Sequence, residues 1–208
     1  MDKLLIINNK LVKIGNKIVC RKDTVDPYNP LNLPANTVRV RTNDGNVPKK
    51  VSLTSYETAT LVPGTSDVYD VYKSGTSFER LFRSSNNVIE VLGANTSNVT
   101  NMQSMFEGCT ALQSVPLFDT SNVTDMSYMF TECTHLTTIP LFDTSKVINM
   151  GITFYKCYNV QSGALALYQQ ASSQANPPTK HNRTFGSCGS NTETGAAELA
   201  QIPDDWKL

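Results

Sequence analysis

The chain has 208 residues, of which 39% are hydrophobic and 17% charged, and its formal net charge at pH 7 is zero. Without a run of lysines or arginines, electrostatic capture of nucleic acid is not expected. No apolar run approaches the roughly 20 residues that a membrane-spanning helix needs. The composition therefore predicts a protein that neither binds nucleic acid nor inserts into a membrane.

Residues 1–36 are predicted to form an N-terminal β-hairpin and an extended anchoring arm. Apolar side chains in residues 9–19 flank Gly15-Asn16, a pair suited to a tight turn, and three prolines follow between residues 21 and 36. A lone hairpin is marginal in water, so it either packs on its own domain or completes the sheet of another chain. The candidate anchoring residues are Leu4, Ile6, Leu11, Ile14 and Ile18.

The N-terminus also bears on where the protein acts. Its apolar run, Leu4 to Ile7, is short for the core of a signal peptide, and no small-residue cleavage site follows it. We therefore expect the chain to fold in the cytoplasm in which it is made.

Residues 37–73 are predicted to form a small β domain that caps the region after it. Thr37–Thr42 alternates polar and apolar side chains, and Asp44-Gly45 is a hairpin turn signal. Further strands are expected within Val51–Val62 and at Val68–Tyr72.

From residue 74 the sequence repeats with a period of 24 residues. Residues 98–121 (NVTNMQSMFEGCTALQSVPLFDTS) and 122–145 (NVTDMSYMFTECTHLTTIPLFDTS) are identical at 15 of 24 positions, and residues 146–163 begin another copy. A degenerate copy precedes them at 74–97, and a further one, 31 residues after its predecessor, surrounds Phe185 and Cys188. Such units bury their apolar faces against their neighbours in the stack.

Each copy changes its hydrophobic period partway. The apolar positions from Val99 to Cys109 have helical spacing, whereas those from Leu112 to Leu117 indicate a short strand. The predicted fold class is therefore an α+β repeat, a leucine-rich-repeat-like solenoid of four to five coils over residues 74–208 with an N-terminal β-rich region. Within it, Ala164–Ala175 and Thr194–Gln201 are expected to be helices, and Trp206 to cap the core.

The repeat motif N-V-T-D-M-S-Y-M-F-x-x-C-x-x-L-x-x-I-P-x-F-D-T-S resembles the BspA-like leucine-rich-repeat surface protein family, as found in gut Bacteroidales and their phages. The match covers residues 74–163 and extends toward residue 203. The resemblance implies surface-exposed binding or adhesion, with no catalytic residues to carry over. Exported members have a signal peptide, so the N-terminus of this chain favours a virion protein over one of the bacterial surface.

The chemically reactive side chains indicate packing rather than catalysis. Cys109, Cys133 and Cys157 recur once per copy, without the close pairs typical of metal sites, and are expected to be small buried hydrophobes. Asp119 and Asp143 recur just before a predicted helix and are expected to cap it. No enzyme motif is present, so we predict no catalytic residue, no metal and no cofactor.

The predicted strand of each copy offers a candidate binding face. Strand geometry turns Leu112, Val115 and Leu117 inward and the alternate residues outward. An exposed ladder of Phe118 and Phe142 would form a contact surface, but both rings folding under the turn is an equal alternative. The candidate face is Ser114, Pro116, Phe118, Thr138, Pro140 and Phe142.

Together these patterns predict a non-enzymatic structural or binding protein of a phage virion, made in the host cytoplasm. Its N-terminal segment would contact other virion proteins, its repeats a host-surface protein or glycan, and the chain would form a homo-oligomer. A bacterial cell-surface adhesin or protein-interaction module is the alternative, and an accessory domain of an enzyme is the weakest hypothesis.

Overall fold

The structure, a computed structural model, describes residues 6–7, 10–11, 29, 31–49 and 56–208. These residues form six strands, two α-helices and one short 3-10 helix. The elements are β1 (Ile6–Ile7), β2 (Lys10–Leu11), β3 (Thr37–Thr42), β4 (Thr58–Leu61), β5 (Val68–Tyr72), β6 (Val88–Ala94), α1 (Ala164–Ser172), α2 (Glu193–Gln201) and the 3-10 helix Asp204–Trp206.

An open four-stranded antiparallel sheet has the strand order β4-β5-β3-β6. In the central strand β3, Val40 pairs with Tyr69 of β5 on one side and with Val91 of β6 on the other. Alternation places Val38 and Val40 in the core, fully buried. On the opposite face Arg39 makes a bidentate ion pair with Asp70, with nitrogen–oxygen distances of 2.6 and 2.8 Å. That pairing, chiefly through the hydrogen bond, raises the pKa of Arg39.

The sheet confirms several predicted strands and corrects their connection. Thr37–Thr42 and Val68–Tyr72 are strands as predicted, and β4 lies within the predicted Val51–Val62. The hairpin predicted at Asp44-Gly45 is wrong, because β3 pairs with β5 and β6 rather than with the strand that follows it. Since β6 belongs to the first repeat copy, the sheet extends across the boundary predicted between residues 73 and 74.

The prediction of a leucine-rich-repeat-like solenoid is wrong. The regular secondary structure is the small antiparallel sheet with two short helices. Residues 98–163, where the period predicts a helix and a strand in every copy, contain turns and isolated bridges instead.

The helical spacing fails because each copy contains two residues in the left-handed backbone region. They lie four positions apart, and their φ angles of 54° to 71° are incompatible with a continuous right-handed helix. Backbone N–H groups consequently bond the following copy, as where Phe106 N donates to Met129 O at 2.8 Å. The left-handed positions are Arg80, Ser84, Ser104, Gly108, Tyr128, Glu132, Ile152, Lys156, Arg183 and Ser187.

The copies share a core in which equivalent side chains contact one another. Phenylalanine rings stack from copy to copy at centroid distances of 5.2 to 5.8 Å, and such stacked pairs contribute stability beyond the area that they bury. The column comprises Phe82, Phe106, Phe130, Phe154 and Phe185. Its last member confirms the copy predicted 31 residues after its predecessor.

The C-terminal elements close the last copy. Both predicted helices are present, as Ala164–Ser172 and Glu193–Gln201. The carboxylate of Glu198 in α2 accepts hydrogen bonds from the backbone of Gly163 and Leu165 at the start of α1. Trp206 is buried, as predicted, with its ring 6.2 Å from that of Phe185. No described helix has the length and apolar character needed to cross a membrane.

Candidate functional site

The aromatic part of the predicted binding face lies in the core. Phe118 and Phe142 are fully buried, and their rings stack at 5.6 Å. Of the two alternatives, burial of the rings under the turn is therefore the one observed. Strict alternation fails here because the segment is not a regular strand, and Leu141 is 53% exposed where the pattern predicts a buried side chain.

The remaining members of the predicted face lie at the surface. Ser114 forms a parallel bridge with Glu90 and Thr138 forms one with Ser162, so these positions follow one another from copy to copy. Thr138 is exposed and Ser114 half-buried. Pro116 and Pro140 are also half-buried. The face presents hydroxyl groups and prolines rather than an aromatic ladder.

The predicted anchoring residues are only partly described. Ile6 pairs with Leu11 across the two short strands β1 and β2. Leu4, Ile14 and Ile18, and the turn predicted at Gly15-Asn16, lie outside the described residues.

The repeated cysteines are buried, as their spacing predicts. Cys109, Cys133, Cys157 and Cys188 are free thiols in the core. The Sγ atoms of the first three donate to the carbonyl oxygens of the phenylalanines 27 residues earlier in the chain, at 2.9 to 3.1 Å. Burial raises the pKa of Cys109 and Cys157 to about 12, so the nucleophilic thiolate is suppressed at neutral pH.

The repeated aspartates stabilise turns rather than helices. Asp119 Oδ1 accepts from the backbone N–H of Ser121 at 3.1 Å, and Asp143 Oδ1 accepts from that of Ser145 at 2.8 Å. These bonds are typical of Asx turns. The prediction that Asp119 and Asp143 cap helices is thus wrong, because the residues directly after each of them form a turn rather than the start of a helix.

A polar groove lies where the sheet meets the first repeat copies, and we call it the junction groove. It is open to solvent, with a volume of about 620 Å³. Most of the described residues that line it carry hydroxyl or amide side chains, and they include one lysine and no carboxylate. The lining residues are Asn36, Gly75, Thr76, Ser97, Asn98, Thr100, Asn122 and Lys146.

Hydrogen bonds between copies hold the polar groups of the junction groove in place. Lys146 Nζ donates to Asn122 Oδ1 at 2.8 Å, and Asn122 Nδ2 donates to Ser97 O at 3.0 Å. At the sheet end, Asn36 Nδ2 donates to Gly75 O at 2.7 Å. The Oδ1 atom of Asn36 is buried without a hydrogen-bond partner.

The sequence analysis did not predict this groove, because it considered mainly the apolar positions of the repeat. Asn98, Asn122 and Lys146 occupy one position of the 24-residue period, just before the buried valine of each copy. A polar side chain repeated beside a core position was a usable signal for an exposed column. Asn36 and Gly75 lie outside the well-preserved copies, so no periodicity points to them.

Metal binding has no support in the described part of the chain. No group of three or more histidine, cysteine, aspartate or glutamate side chains that could hold a metal ion occurs there. The groups that the junction groove offers are hydrogen-bond donors and acceptors and one ammonium, which suit binding of a polar ligand.

Comparison with known proteins identifies the family of the repeat region. The family model described as "Mycoplasma protein of unknown function, DUF285" matches residues 75–187, more than half of the chain. This family is related to the BspA-like surface repeat proteins. No curated protein and no solved structure matches the chain. On the strength of the family match, the protein belongs to the DUF285 family.

Proposed function

We propose that this protein is a non-catalytic binding and structural protein on the surface of a phage particle, a BspA-like surface protein of the kind found in gut Bacteroidales and their phages. The proposal rests on which side chains lie in the core of the repeats and which lie at their surface. The thiols and most aromatic rings of the repeats are buried, whereas hydroxyl and amide groups recur on the outside.

The repetition of the surface groups supports binding over catalysis. Equivalent positions in neighbouring copies are separated by a spacing close to that of the stacked rings, 5.2 to 5.4 Å in the central copies. A row of like groups at such a spacing suits an extended or repeating polar ligand, because several weak contacts form together. A catalytic site instead needs unlike groups brought to one point.

We expect the N-terminal segment and the repeats to bind different partners. The N-terminal segment with its candidate anchoring residues would attach to other virion proteins, and the repeats would contact a host-surface protein or a glycan. Assembly as a homo-oligomer would raise the overall affinity, because several weak contacts would form together. The protein would be made in the host cytoplasm and would require no cofactor.

A bacterial cell-surface adhesin is the second candidate, and the relation of the family to the BspA-like surface repeat proteins favours it. The same polar surface would serve either role. The two candidates differ in where the chain is found.

Location is the direct test of the proposal. Purified phage particles from the source of the gene are examined by mass spectrometry and by particle imaging for ordered copies of the chain. Its presence in particles supports the virion role. Its absence from particles, combined with antibody labelling of intact bacterial cells, would replace that role by the adhesin.

A further inference from the structure

We propose that the junction groove binds a short saccharide that has a carboxylate at one end. The proposal rests on the proposed function, because it names the ligand class of a non-catalytic binding surface. Two features of the groove support it, namely the hydroxyl and amide side chains of its lining residues and its single ammonium.

The lining of the groove matches the chemistry of a sugar. Hydroxyls of Thr76, Ser97 and Thr100 and the amides of Asn98 and Asn122 offer both donors and acceptors, which complement saccharide hydroxyl groups. The volume of about 620 Å³ lies within the roughly 300 to 1,000 Å³ of small-molecule sites. No aromatic or large aliphatic side chain is among the described residues that line the groove, which disfavours a lipid or an aromatic ligand.

Lys146 selects for one negative charge. Among the described residues it is the one charged residue that lines the groove, and its Nζ atom is held beside the neutral Asn122 amide. Among the ion pairs of the described residues, none involves Lys146. A ligand carboxylate would supply the missing counter-charge in a charge-assisted hydrogen bond. A single ammonium suits one carboxylate rather than a polyanion.

Asn36 supplies the other end of the site. Its Nδ2 donates to the carbonyl of Gly75, which fixes the orientation of the amide, and its buried Oδ1 has no donor. Asn36 lies beside Gly75 in the first copy, and the lysine ammonium reaches Asn122 in the third. Two copy intervals span roughly 10 Å, about the length of two or three sugar rings.

The test uses a matched pair of saccharides, 3′-sialyllactose and lactose, titrated into the isotope-labelled full chain and followed by NMR. Backbone amide shifts are expected at Asn98, Thr100 and Asn122. Sialyllactose should bind about three- to fivefold more tightly than lactose, the range that a solvent-exposed ion pair supplies. High salt should reduce this preference.

Variants locate the site. Lys146→Ala should abolish the preference for sialyllactose, and Lys146→Arg should retain it. Asn98→Ala should weaken both saccharides about two- to tenfold through the loss of hydrogen bonds. Gln113→Ala removes an exposed side chain elsewhere in the repeats and should leave binding unchanged. Thermal unfolding of each variant checks that it folds.

Several outcomes would overturn the ligand assignment. They are the absence of binding by either saccharide, equal or tighter binding of lactose, a preference that survives Lys146→Ala, and loss of binding in Gln113→Ala. All of these leave the proposed non-catalytic role intact. Cleavage of sialyllactose during the titration would instead overturn the proposed function, since the protein would then be an enzyme.

Discussion

The sheet and the repeat region hold together in different ways. In the sheet, β3 pairs along its length with β5 and β6, and side chains alternate between core and surface. In the repeat region, backbone bonds connect one copy with the next through turns, and columns of equivalent side chains form the core. The sheet depends on regular backbone geometry, whereas the repeats depend on special conformations reproduced once per copy.

A hydrophobic period therefore specifies which residues are buried before it specifies a secondary structure. The spacing from Val99 to Cys109 is that of a helix face, and those residues are indeed in the core. The backbone between them forms turns, because Ser104 and Gly108 are left-handed.

The largest effect is expected where the repeats meet α1. Gly163 has a φ angle of 101°, and an added Cβ would collide with the carbonyl oxygen of Ile139 in the preceding copy. We expect Gly163→Ala to unfold this region, with a loss of more than about 4 kcal/mol. Urea denaturation followed by circular dichroism measures the effect.

Gly64→Ala is the matched control in the turn between β4 and β5. Gly64 also has a positive φ, of 81°, but its Cβ would meet nothing within 4 Å. Gly64→Ala should therefore lower stability by about 1 kcal/mol, which is the cost of the backbone conformation alone. Equal losses in the two variants would mean that contact between copies is not what constrains Gly163.

The aromatic column should produce the next largest effect. Phe130 is fully buried and its ring stacks on those of Phe106 and Phe154 at 5.4 and 5.3 Å. Phe130→Ala should cost about 3 to 5 kcal/mol, because it removes a large side chain and leaves a cavity.

Amide hydrogen exchange shows where that loss acts. Protection should fall most in the copies that contain Phe106 and Phe154, and least in the β3–β5 pairing of the sheet. Phe130→Leu, which retains most of the volume, serves as the control and should cost clearly less. Uniform loss of protection over both regions would contradict the contrast between them.

The buried thiols predict a sensitivity to alkaline pH in the repeats. The pKa of Cys109 and Cys157 is raised by burial to about 12, while a thiol in the unfolded chain ionises near 9.0. Their contribution to stability is therefore complete below about pH 9 and is lost progressively as the pH rises toward 12. Each thiol should lower stability by about 1.4 kcal/mol per pH unit within that window.

Cys109→Ala isolates this effect from the titration of lysines and tyrosines. Its stability should fall less steeply than that of the parent between pH 9 and 12, although it should be lower at pH 7 because the side chain is truncated. Identical pH slopes in the parent and the variant, measured by urea denaturation, would contradict burial of this thiol.

The sequence predicted the parts of the fold that follow from local patterns. Strict alternation located β3 at its observed bounds, and propensity located α1 and α2 nearly so. The joining of β6 to the sheet required pairing between distant segments, which no local pattern encodes. The left-handed backbone conformation of residues such as Tyr128 and Ile152 could not be predicted either, since neither is a glycine or an asparagine.

The candidate site was predictable to a similar extent. Periodicity indicated which surface positions recur, and Ser114 and Thr138 do lie at the surface of neighbouring copies. It failed for Phe118 and Phe142, because assigning alternate sides required a regular strand that the chain does not form. The junction groove depends on Asn36, which reaches Gly75 across 39 residues and has no repeated equivalent.

The smallest predicted effect is a gain in stability at a left-handed position. Ile152 has a φ angle of 63°, which is unfavourable for a β-branched side chain, whereas asparagine tolerates it. Ile152→Asn should therefore stabilise the protein by about 0.5 to 1 kcal/mol, since relief of strain exceeds the loss of a half-buried apolar group.

Ile148→Asn provides the control, because Ile148 is 55% exposed and is not among the residues with positive φ. A higher midpoint of urea denaturation for Ile152→Asn, but not for Ile148→Asn, would show that the repeats contain backbone strain. The described strands of the sheet contain no left-handed residue of this kind. A loss of stability in that variant would mean that packing of the Ile152 side chain outweighs its backbone cost.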